Sequence, residues 1–382
     1  MIEDLLSETH NIIRESVRRF VQREILPYVE EWEERGEFPR KLYHKAGSAG
    51  ILGVGYPEEL GGSGGDIFCK IVCVEELMRC GSSGVVAGLG SLDISIPPII
   101  EFGSREQKAK FIPPVLKGER ISALAVTEPD AGSDVSGIRT RAERCDSYYI
   151  LNGCKTFITS GARADQLTVA AKTGKERRDI SLIIVETDRE GVTVSKILKK
   201  MGWWPSDTAQ IFLDDVKVPL ENLIGKEGKG LRYLMSNFQM ERLQLSVMAY
   251  MIAELALEES IRYIGQRRAF ERYLSDFQVL RHKIADMIML KEVAKTYVYS
   301  VAHKISKGKA KNSDVAMAKN FATYVSDMVT DEAVQIHGGY GYMREYLVER
   351  LYRDSRILSI GGGTKEIMKE IIAREFLGKE RS

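Results

Sequence analysis

The stretch Thr127-Glu-Pro-Asp-Ala-Gly-Ser-Asp134, followed by Phe157-Ile-Thr159, lies in the part of the chain that decides its fold. Short polar side chains alternate there with Gly and Pro, between apolar segments that are typical of strands. This layout offers hydroxyl groups and free backbone N–H groups to a ligand that is rich in hydrogen-bond acceptors. The stretch therefore predicts a ligand-binding loop within a β-rich region.

Helical periodicity lies on both sides of this region. Apolar residues recur at helical spacing from Ile12 to about Lys117, and again from Gly230 to the end. Between Ile121 and about Ile224, short β-rich runs are separated by turn residues, which predicts an antiparallel barrel or sandwich. The runs are Tyr148–Leu151, Leu167–Ala170, Ser181–Val185 and Gln210–Leu213.

The order of helix, sheet and helix, without strand–helix alternation, predicts an α+β multidomain fold. We expect an N-terminal helical domain over 1–119, a middle antiparallel β-barrel over 120–226 and a C-terminal four-helix bundle over 227–382. The four bundle helices are predicted around 231–264, 276–306, 313–336 and 364–377.

The composition is that of a globular protein without a polymer partner. The 382 residues include 55 Lys and Arg and 54 Asp and Glu, which gives a net charge of +1. Because the two signs are interleaved, no basic field favours nucleic acid or a membrane surface. No run approaches the ~18 apolar residues of a membrane span, and the first residues lack a secretory pattern. We therefore expect a cytoplasmic protein.

Cysteine usage and nucleotide motifs exclude further classes. The five cysteines are odd in number and form no C-x-x-C motif, so we expect reduced thiols and no metal. The stretch Gly88-Leu-Gly90-Ser-Leu-Asp93 lacks the third Gly of G-x-G-x-x-G, and no P-loop motif occurs. A bound dinucleotide would therefore lie outside a Rossmann or P-loop frame.

Six motifs occur in one order along the chain: Thr127–Asp134, Phe157–Thr159, Met201–Thr208, Arg267–Phe270 with Gln278, Gln335–Gly339, and Arg353–Asp354 ahead of Gly361–Thr364. Together they resemble the FAD-dependent acyl-CoA dehydrogenases over essentially the whole chain. The resemblance implies the three domains above, a homotetramer with FAD at subunit contacts, and α,β-dehydrogenation of an acyl-CoA thioester. It also implies that electrons pass from reduced FAD to an electron-transfer flavoprotein.

The resemblance also implies which residues hold the ligands. Thr127 and Thr159 are expected to hydrogen-bond the flavin edge, and Phe157 is expected to pack on the flavin ring. The remaining expected cofactor contacts are Ser133 near the pyrophosphate, Arg267, Phe270, Gln278, Thr364 and Glu366, with Gln335, Gly338 and Gly339 from the facing subunit. The expected substrate contacts are Ser133, Gln239, Arg242 and Asp93.

The catalytic base is expected on the first long helix of the bundle. Common members of the family carry a Glu directly before the last Gly-Thr pair, where this chain has Gly362. A long-chain and isovaleryl-like subgroup instead uses a Glu in a Glu-Arg-Leu context, which resembles Met240-Glu-Arg-Leu243 here.

Helical spacing supports the same position independently. Glu241 shares one face with Leu234, Phe238, Leu245 and Met248, so it is a lone carboxylate on an apolar stripe. Such a carboxylate is costly unless it has a function or a partner. Glu241 could instead belong to a buried structural ion pair. The adjacent Arg242, however, points about 100° around the helix and so does not share its face.

Gly362 is the second predicted catalytic position. It lies just before Thr364, which is a good N-cap for the last helix, so its backbone N–H is available to a thioester carbonyl that gains negative charge. The absence of a side chain also leaves room for the carboxylate of Glu241.

Alternatives remain open for the substrate and the reaction. Leu89, Asp93, Ile96 and Ile100 fit one helical face, where Asp93 would act as an additional base for an alicyclic acyl-CoA or as a hydrogen-bonded wall residue. An acyl-CoA oxidase-like enzyme is a second alternative. A non-catalytic acyl-CoA- or flavin-binding component is a third.

Overall fold

A block of short helices opens the chain, in a computed structural model that describes residues 2–195 and 197–378. The helical prediction for this part is confirmed. The helices are α1 (Glu8–Phe20), α2 (Val29–Arg35), α3 (Lys41–Ser48), α4 (Ile67–Met78), α5 (Ser83–Leu89), α6 (Leu92–Ser95), α7 (Pro97–Phe102), α8 (Arg105–Phe111) and α9 (Pro113–Leu116).

The expectation that Leu89, Asp93, Ile96 and Ile100 share one helical face is wrong. The chain breaks twice there, into α5, α6 and α7, and the two parts on either side of the first break are bent by 46°. Pro97 and Pro98 cause the second break, because neither has an N–H group to continue the helix. Among the described residues, no single helix is both long and apolar enough to cross a membrane, and this bent pair passes that test only when taken together.

Seven strands follow and form one mixed sheet. The strands are β1 (Ser122–Ala125), β2 (Arg141–Arg144), β3 (Tyr148–Thr159), β4 (Gln166–Lys172), β5 (Ile180–Glu186), β6 (Val192–Val194) and β7 (Thr208–Pro219). Their order is β1-β4-β2-β3-β7-β6, with β5 paired to β4. The predicted β-domain is confirmed, but β4 pairs in parallel with both β1 and β2, whereas the prediction was antiparallel throughout.

Strand β5 joins the sheet to the helices. Ile183 and Val185 pack in the core of the β-domain, whereas Leu182 and Ile184 pack in the core that the helices share. Both faces of the strand are therefore covered, which explains the uninterrupted apolar run that the sequence shows there.

The C-terminal helices form the predicted bundle. They are α10 (Gly230–Gln266), α11 (Gln278–Ser306), α12 (Asn312–His337), α13 (Leu347–Ser355) and α14 (Lys365–Leu377), with a small hairpin of β8 (Arg268–Ala269) and β9 (Arg272–Tyr273) after α10. The four predicted helices are confirmed, and the short α13 is additional. The predicted boundaries after residues 119 and 226 fall in the connections before β1 and before α10.

Helix α10 is held along its length by polar contacts with the N-terminal block. The Asn237 amide donates to the Ile94 carbonyl at 2.7 Å, and the Tyr250 hydroxyl donates to Glu75 at 2.8 Å. Further along, Arg79 donates to Glu258 at 2.7 Å. These contacts fix both the rotation and the height of α10, and therefore the direction in which its side chains point.

The β8–β9 hairpin turns through two residues in the left-handed region. Phe270 has φ 51° and Glu271 has φ 63°, and Phe270 is 88% exposed. Two-residue hairpin turns with positive φ at both positions strongly favour Asn and Gly, so Phe and Glu are strained here.

We expect Glu271→Gly to stabilise this hairpin by about 1 kcal/mol, because the left-handed strain of ~1–2 kcal/mol is partly offset by the freedom of Gly in the unfolded chain. The Leu274 amide, which donates to the Arg267 carbonyl at 2.9 Å, should then exchange its hydrogen roughly five-fold more slowly. Ala269→Gly in the adjoining strand is the control and should speed exchange. Equal rates in all three proteins would contradict the assignment of strain.

Candidate active site

Glu241 projects from α10 toward the loop Gly361–Gly363. A Cβ atom added to Gly362 would lie 3.5 Å from the Glu241 Oε1 atom and 2.6 Å from the Leu245 Cδ1 atom. The carboxylate therefore lies beside the Gly362 position, where Leu245 leaves no room for a side chain unless it moves. Gly362 has φ 63° and Gly363 has φ 97°, so the backbone of this loop also requires glycine.

Burial raises the pKa of Glu241, and the positive charges of Arg242 and Lys319 partly oppose this shift. No described residue donates a hydrogen bond to the carboxylate, although it is half-buried. A carboxylate without hydrogen-bond donors and with a raised pKa is a stronger proton acceptor than an exposed one.

Arg242 forms no hydrogen bond or ion pair with Glu241 among the described residues, in line with the helical spacing, and instead contacts the glycine loop. Its long side chain reaches around α10, and the Arg242 Nε atom donates to the Gly362 carbonyl at 3.0 Å. The guanidinium is buried, and the charge of Glu241 raises its pKa while burial lowers it more strongly. Arg242 therefore holds the glycine loop, which is a contact that sequence spacing alone did not indicate.

Lys319 is a site residue that the sequence analysis missed. It lies on α12, is 1% exposed, and donates from its Nζ atom to the carbonyls of Gly361 at 2.5 Å and of Gly363. Burial lowers its pKa to about 8, opposed by the charge of Glu241. The available signal was a lone cation between Val315 and Ala322 at helical spacing, the same pattern that identified Glu241.

Two buried cations thus bind three successive carbonyl groups, those of Gly361, Gly362 and Gly363. The N–H groups of Gly362 and Gly363 donate to no described residue. Next in the chain, the Thr364 hydroxyl caps α14 by accepting from the Ile367 N–H at 3.3 Å, and Glu366 lies exposed in the first turn. The loop is therefore fixed through its carbonyls, which leaves the N–H groups of Gly362 and Gly363 free for a ligand.

Thr127, Phe157 and Thr159 come together where β1 and β3 end. The Thr156 N–H donates to the Thr127 carbonyl at 2.9 Å, which draws the two segments together. A β-bulge between Lys155 and Ile158 turns Phe157 outward with φ 57°, so the ring is 68% exposed. The three hydroxyl groups of Thr127, Thr159 and the nearby exposed Ser133 have no hydrogen-bond partner among the described residues.

A buried ion pair that the sequence analysis did not identify supports this group. The Lys155 Nζ atom, fully buried, donates to Glu128 Oε1 at 2.7 Å and to the Val126 carbonyl at 3.0 Å. Glu128 also accepts from the Arg139 and Thr140 N–H groups. Glu128 belongs to the opening motif, so its charge was a signal for a buried partner.

Trp203 supplies an unpaired donor beside the same strand end. Its backbone, with φ 55°, is held by Asp354, which accepts its N–H at 2.6 Å. Its indole Nε1 atom is buried and finds no acceptor among the described residues. The strand register pairs Thr159 with Thr208, at the end of the segment that contains Trp203. The hydroxyls and this orphaned donor fit a ring that is rich in acceptors.

The predicted nucleotide contacts gather at the far end of the bundle. Within one chain, the Tyr263 ring stacks on His337 with centroids 4.2 Å apart, and Arg267 lies over Tyr340 at 5.5 Å. This brings the ends of α10 and α12 side by side. The predicted residues at these ends are Arg267, Phe270, Gln278, Gln335, Gly338 and Gly339.

Two of the predicted substrate contacts have partners within the protein. Gln239 donates from its amide to the Asn312 side chain at the start of α12. Asp93 accepts from the Tyr56 hydroxyl at 2.7 Å and from the Lys70 ammonium at 2.9 Å. Asp93 therefore lies in an ion pair rather than alone among apolar side chains.

Comparison with known proteins places this geometry in a family. Models of the acyl-CoA dehydrogenase N-terminal, middle and C-terminal domains match residues 7–119, 123–216 and 228–377. The mitochondrial long-chain specific acyl-CoA dehydrogenase of Rattus norvegicus is 41% identical over 98% of this chain and 88% of its own length. The chain belongs to the acyl-CoA dehydrogenase family.

Other members of the acyl-CoA dehydrogenase family are similar over nearly the whole chain. The caffeyl-CoA reductase–Etf complex subunit of Acetobacterium woodii is 38% identical over 98% of this chain and 99% of its own. A probable acyl-CoA dehydrogenase structure from Mycobacterium abscessus has a TM-score of 0.95 at 45% identity, covering 97% and 99% of the two chains. A structure from Bacillus anthracis complexed with FAD has a TM-score of 0.91 at 36% identity, covering 97% and 67%.

We expect Lys319→Met to lower the free energy of unfolding by about 2–4 kcal/mol, because two buried carbonyls lose their donor and Glu241 loses a cationic neighbour. Denaturant titration measures the change. Lys369→Met on the exposed face of α14 is the control and should shift stability by no more than ~0.5 kcal/mol. Equal, small effects of the two substitutions would contradict a loop-holding role for Lys319.

Proposed function

We propose that this protein is an FAD-dependent acyl-CoA dehydrogenase that converts an acyl-CoA thioester to the 2-enoyl-CoA, with Glu241 as the base. The proposal rests mainly on the environment of Glu241. Glu241 is a half-buried carboxylate with a raised pKa and no hydrogen-bond donor among the described residues, and it borders Gly362 and Gly363, whose N–H groups donate to none of those residues. This pairing of an acceptor for a proton with donors for a carbonyl is what the reaction requires.

Glu241 removes a proton from the carbon next to the thioester carbonyl. The N–H group of Gly362, and that of Gly363 beside it, then stabilise the negative charge that develops on the carbonyl oxygen. Bound FAD would supply the acceptor for the hydride that leaves the neighbouring carbon, so the substrate loses one proton to Glu241 and one hydride, which carries two electrons, to the cofactor. Lys319 and Arg242 keep the glycine loop in place through its carbonyls.

The residues around β3 fit FAD. Thr127 and Thr159 offer unpaired hydroxyls to the edge of the flavin ring, and Phe157 offers an exposed face. Arg267, Phe270 and Gln278, with Gln335, Gly338 and Gly339 of a facing subunit, would hold the adenine nucleotide half, while Ser133, Thr364 and Glu366 complete the contacts. The relative from Bacillus anthracis that contains FAD supports this cofactor.

Two partners complete the proposal. An electron-transfer flavoprotein would reoxidise FAD, which is supported by the relative that forms an Etf complex. A homotetramer is supported by apolar side chains that stay exposed in one chain, such as Phe270, Val279 and Tyr342. A cytoplasmic location stays a prediction.

Asp93 is less suited to act as an additional base for an alicyclic substrate. Lys70 and the Tyr56 hydroxyl both donate to its Oδ1 atom, so this oxygen already has two partners within the protein.

We expect Glu241→Gln to keep FAD bound while flavin reduction by acyl-CoA falls by ~10⁴-fold or more, because the amide cannot accept the proton. Anaerobic bleaching of the flavin absorbance measures the rate. Glu258→Gln, on the same helix but ion-paired to Arg79, is the control and should bleach normally. Rapid bleaching by the Glu241 variant would assign the base to another residue.

The pH dependence of flavin reduction should follow the ionisation of Glu241. Its carboxylate must be ionised to act, and burial raises its pKa, so the rate rises with pH through a pKa above the ordinary Glu value. Lys319 lowers that pKa, so Lys319→Met should move the rising limb to higher pH and Lys319→Arg should restore it. A uniform loss of rate without a shift of the limb would indicate that Lys319 acts on structure alone.

A further inference from the structure

A small cavity of about 50 Å³ lies between the N-terminal helices and α10. Its walls are mostly apolar, and three polar side chains also line it, those of Lys70, Asp93 and Gln244. The apolar part includes Leu52, Val54, Val74, Leu77, Leu89 and Leu92. The cavity therefore combines an apolar wall with a small polar patch.

One residue that lines this cavity, Gln244, lies one helical turn from the proposed base. Gln244 follows Glu241 by three residues on α10, so the two share a face and differ by only ~4.5 Å in height along the helix. Gly90 and Asp93 line the side formed by the break between α5 and α6. Glu241 itself does not line the cavity, so only the far end of a substrate whose reacting carbons lie at Glu241 would reach Asp93.

The polar patch is an ion pair with unused hydrogen-bonding capacity. The Lys70 Nζ atom lies 2.9 Å from Asp93 Oδ1 and 3.6 Å from the centroid of the Tyr56 ring. The Lys70 and Asp93 side chains are only 15% and 21% exposed. The second carboxylate oxygen of Asp93 accepts from no described residue, and the ammonium has three N–H groups of which the pair uses one.

We propose that the Lys70–Asp93 pair selects acyl groups that carry a hydroxyl at their far end, an inference that rests on the proposed function. A hydroxyl both donates and accepts, so it can donate to Asp93 and accept from Lys70 at once. A plain alkyl or aryl end would displace water from the pair without replacing its hydrogen bonds, which costs affinity. A carboxylate at this end would be repelled by Asp93.

Matched pairs of substrates test the proposal with the FAD-loaded enzyme. The first pair is 3-(4-hydroxyphenyl)propionyl-CoA and 3-phenylpropionyl-CoA, and the second is 6-hydroxyhexanoyl-CoA and hexanoyl-CoA. The two members of each pair differ by one hydroxyl group, so the ratio of their kcat/KM values measures how strongly that group is recognised. We expect the wild-type enzyme to prefer the hydroxylated member of at least one pair by about ten-fold or more.

Variants then assign that preference to the ion pair. Lys70→Met combined with Asp93→Leu removes both charges and should abolish or invert the preference. Asp93→Asn keeps the shape of the side chain and one acceptor oxygen. This conservative variant should lose only part of the preference for the hydroxylated substrate. Glu258→Gln, on α10 but outside the cavity lining and ion-paired to Arg79, is the control, and its ratio should stay as in the wild type.

The outcomes separate the two proposals. If every acyl-CoA bleaches the flavin but the wild-type ratio is near one in both pairs, or if the preference survives in the double variant, selection by Lys70 and Asp93 is overturned while the dehydrogenase function stands. If no acyl-CoA bleaches the flavin, the proposed function fails and this inference fails with it.

Discussion

The buried charges of Glu241, Arg242 and Lys319 form the constraint on which the rest of the site depends. Each charge loses hydration when it is buried, so each must find compensation nearby. The two cations find it in the carbonyls of the glycine loop, whereas Glu241 receives only their through-space charge. Helices α10 and α12 and the loop before α14 must therefore meet in one arrangement. The carboxylate keeps its proton affinity because hydrogen-bond donors near it are directed elsewhere.

The β-domain also contains some polar groups that hold the structure together and others that stay available to a ligand. Lys155 and Glu128 form a fully compensated buried pair that fixes the Thr127 loop, while Thr127 and Thr159 keep their hydroxyls unpaired. In both places a satisfied polar network provides rigidity, and the groups suited to a ligand stay unsatisfied within the chain. Such preorganisation lowers the entropic cost of holding a substrate and cofactor in register.

Features set by local interactions could be predicted from the sequence, whereas features set by contacts between distant residues could not. The long helices and Glu241 were predictable because helical periodicity is local. Helical spacing marked Lys319 as a lone cation on an apolar stripe, but its partners are backbone carbonyls more than forty residues away, so no pattern of residue types indicated what it binds. The parallel pairing of β1 with β4 was missed because alternation does not report strand direction. The contact of Arg242 with the Gly362 carbonyl was not predicted, because spacing describes where a side chain begins and a flexible guanidinium ends elsewhere.

The position of the base on α10, rather than in the glycine loop, also constrains the substrate cavity. A side chain at position 362 would need left-handed backbone and would meet Leu245 at 2.6 Å, so Leu245 and a loop-borne carboxylate exclude each other. Leu245 adjoins Gln244, which lines the cavity. One turn of α10 therefore sets the location of the base, fills the space that a loop carboxylate would need and forms part of the cavity wall. Changing the origin of the base would require that wall to be rebuilt, so base position and acyl selectivity are linked through the packing of the same turn.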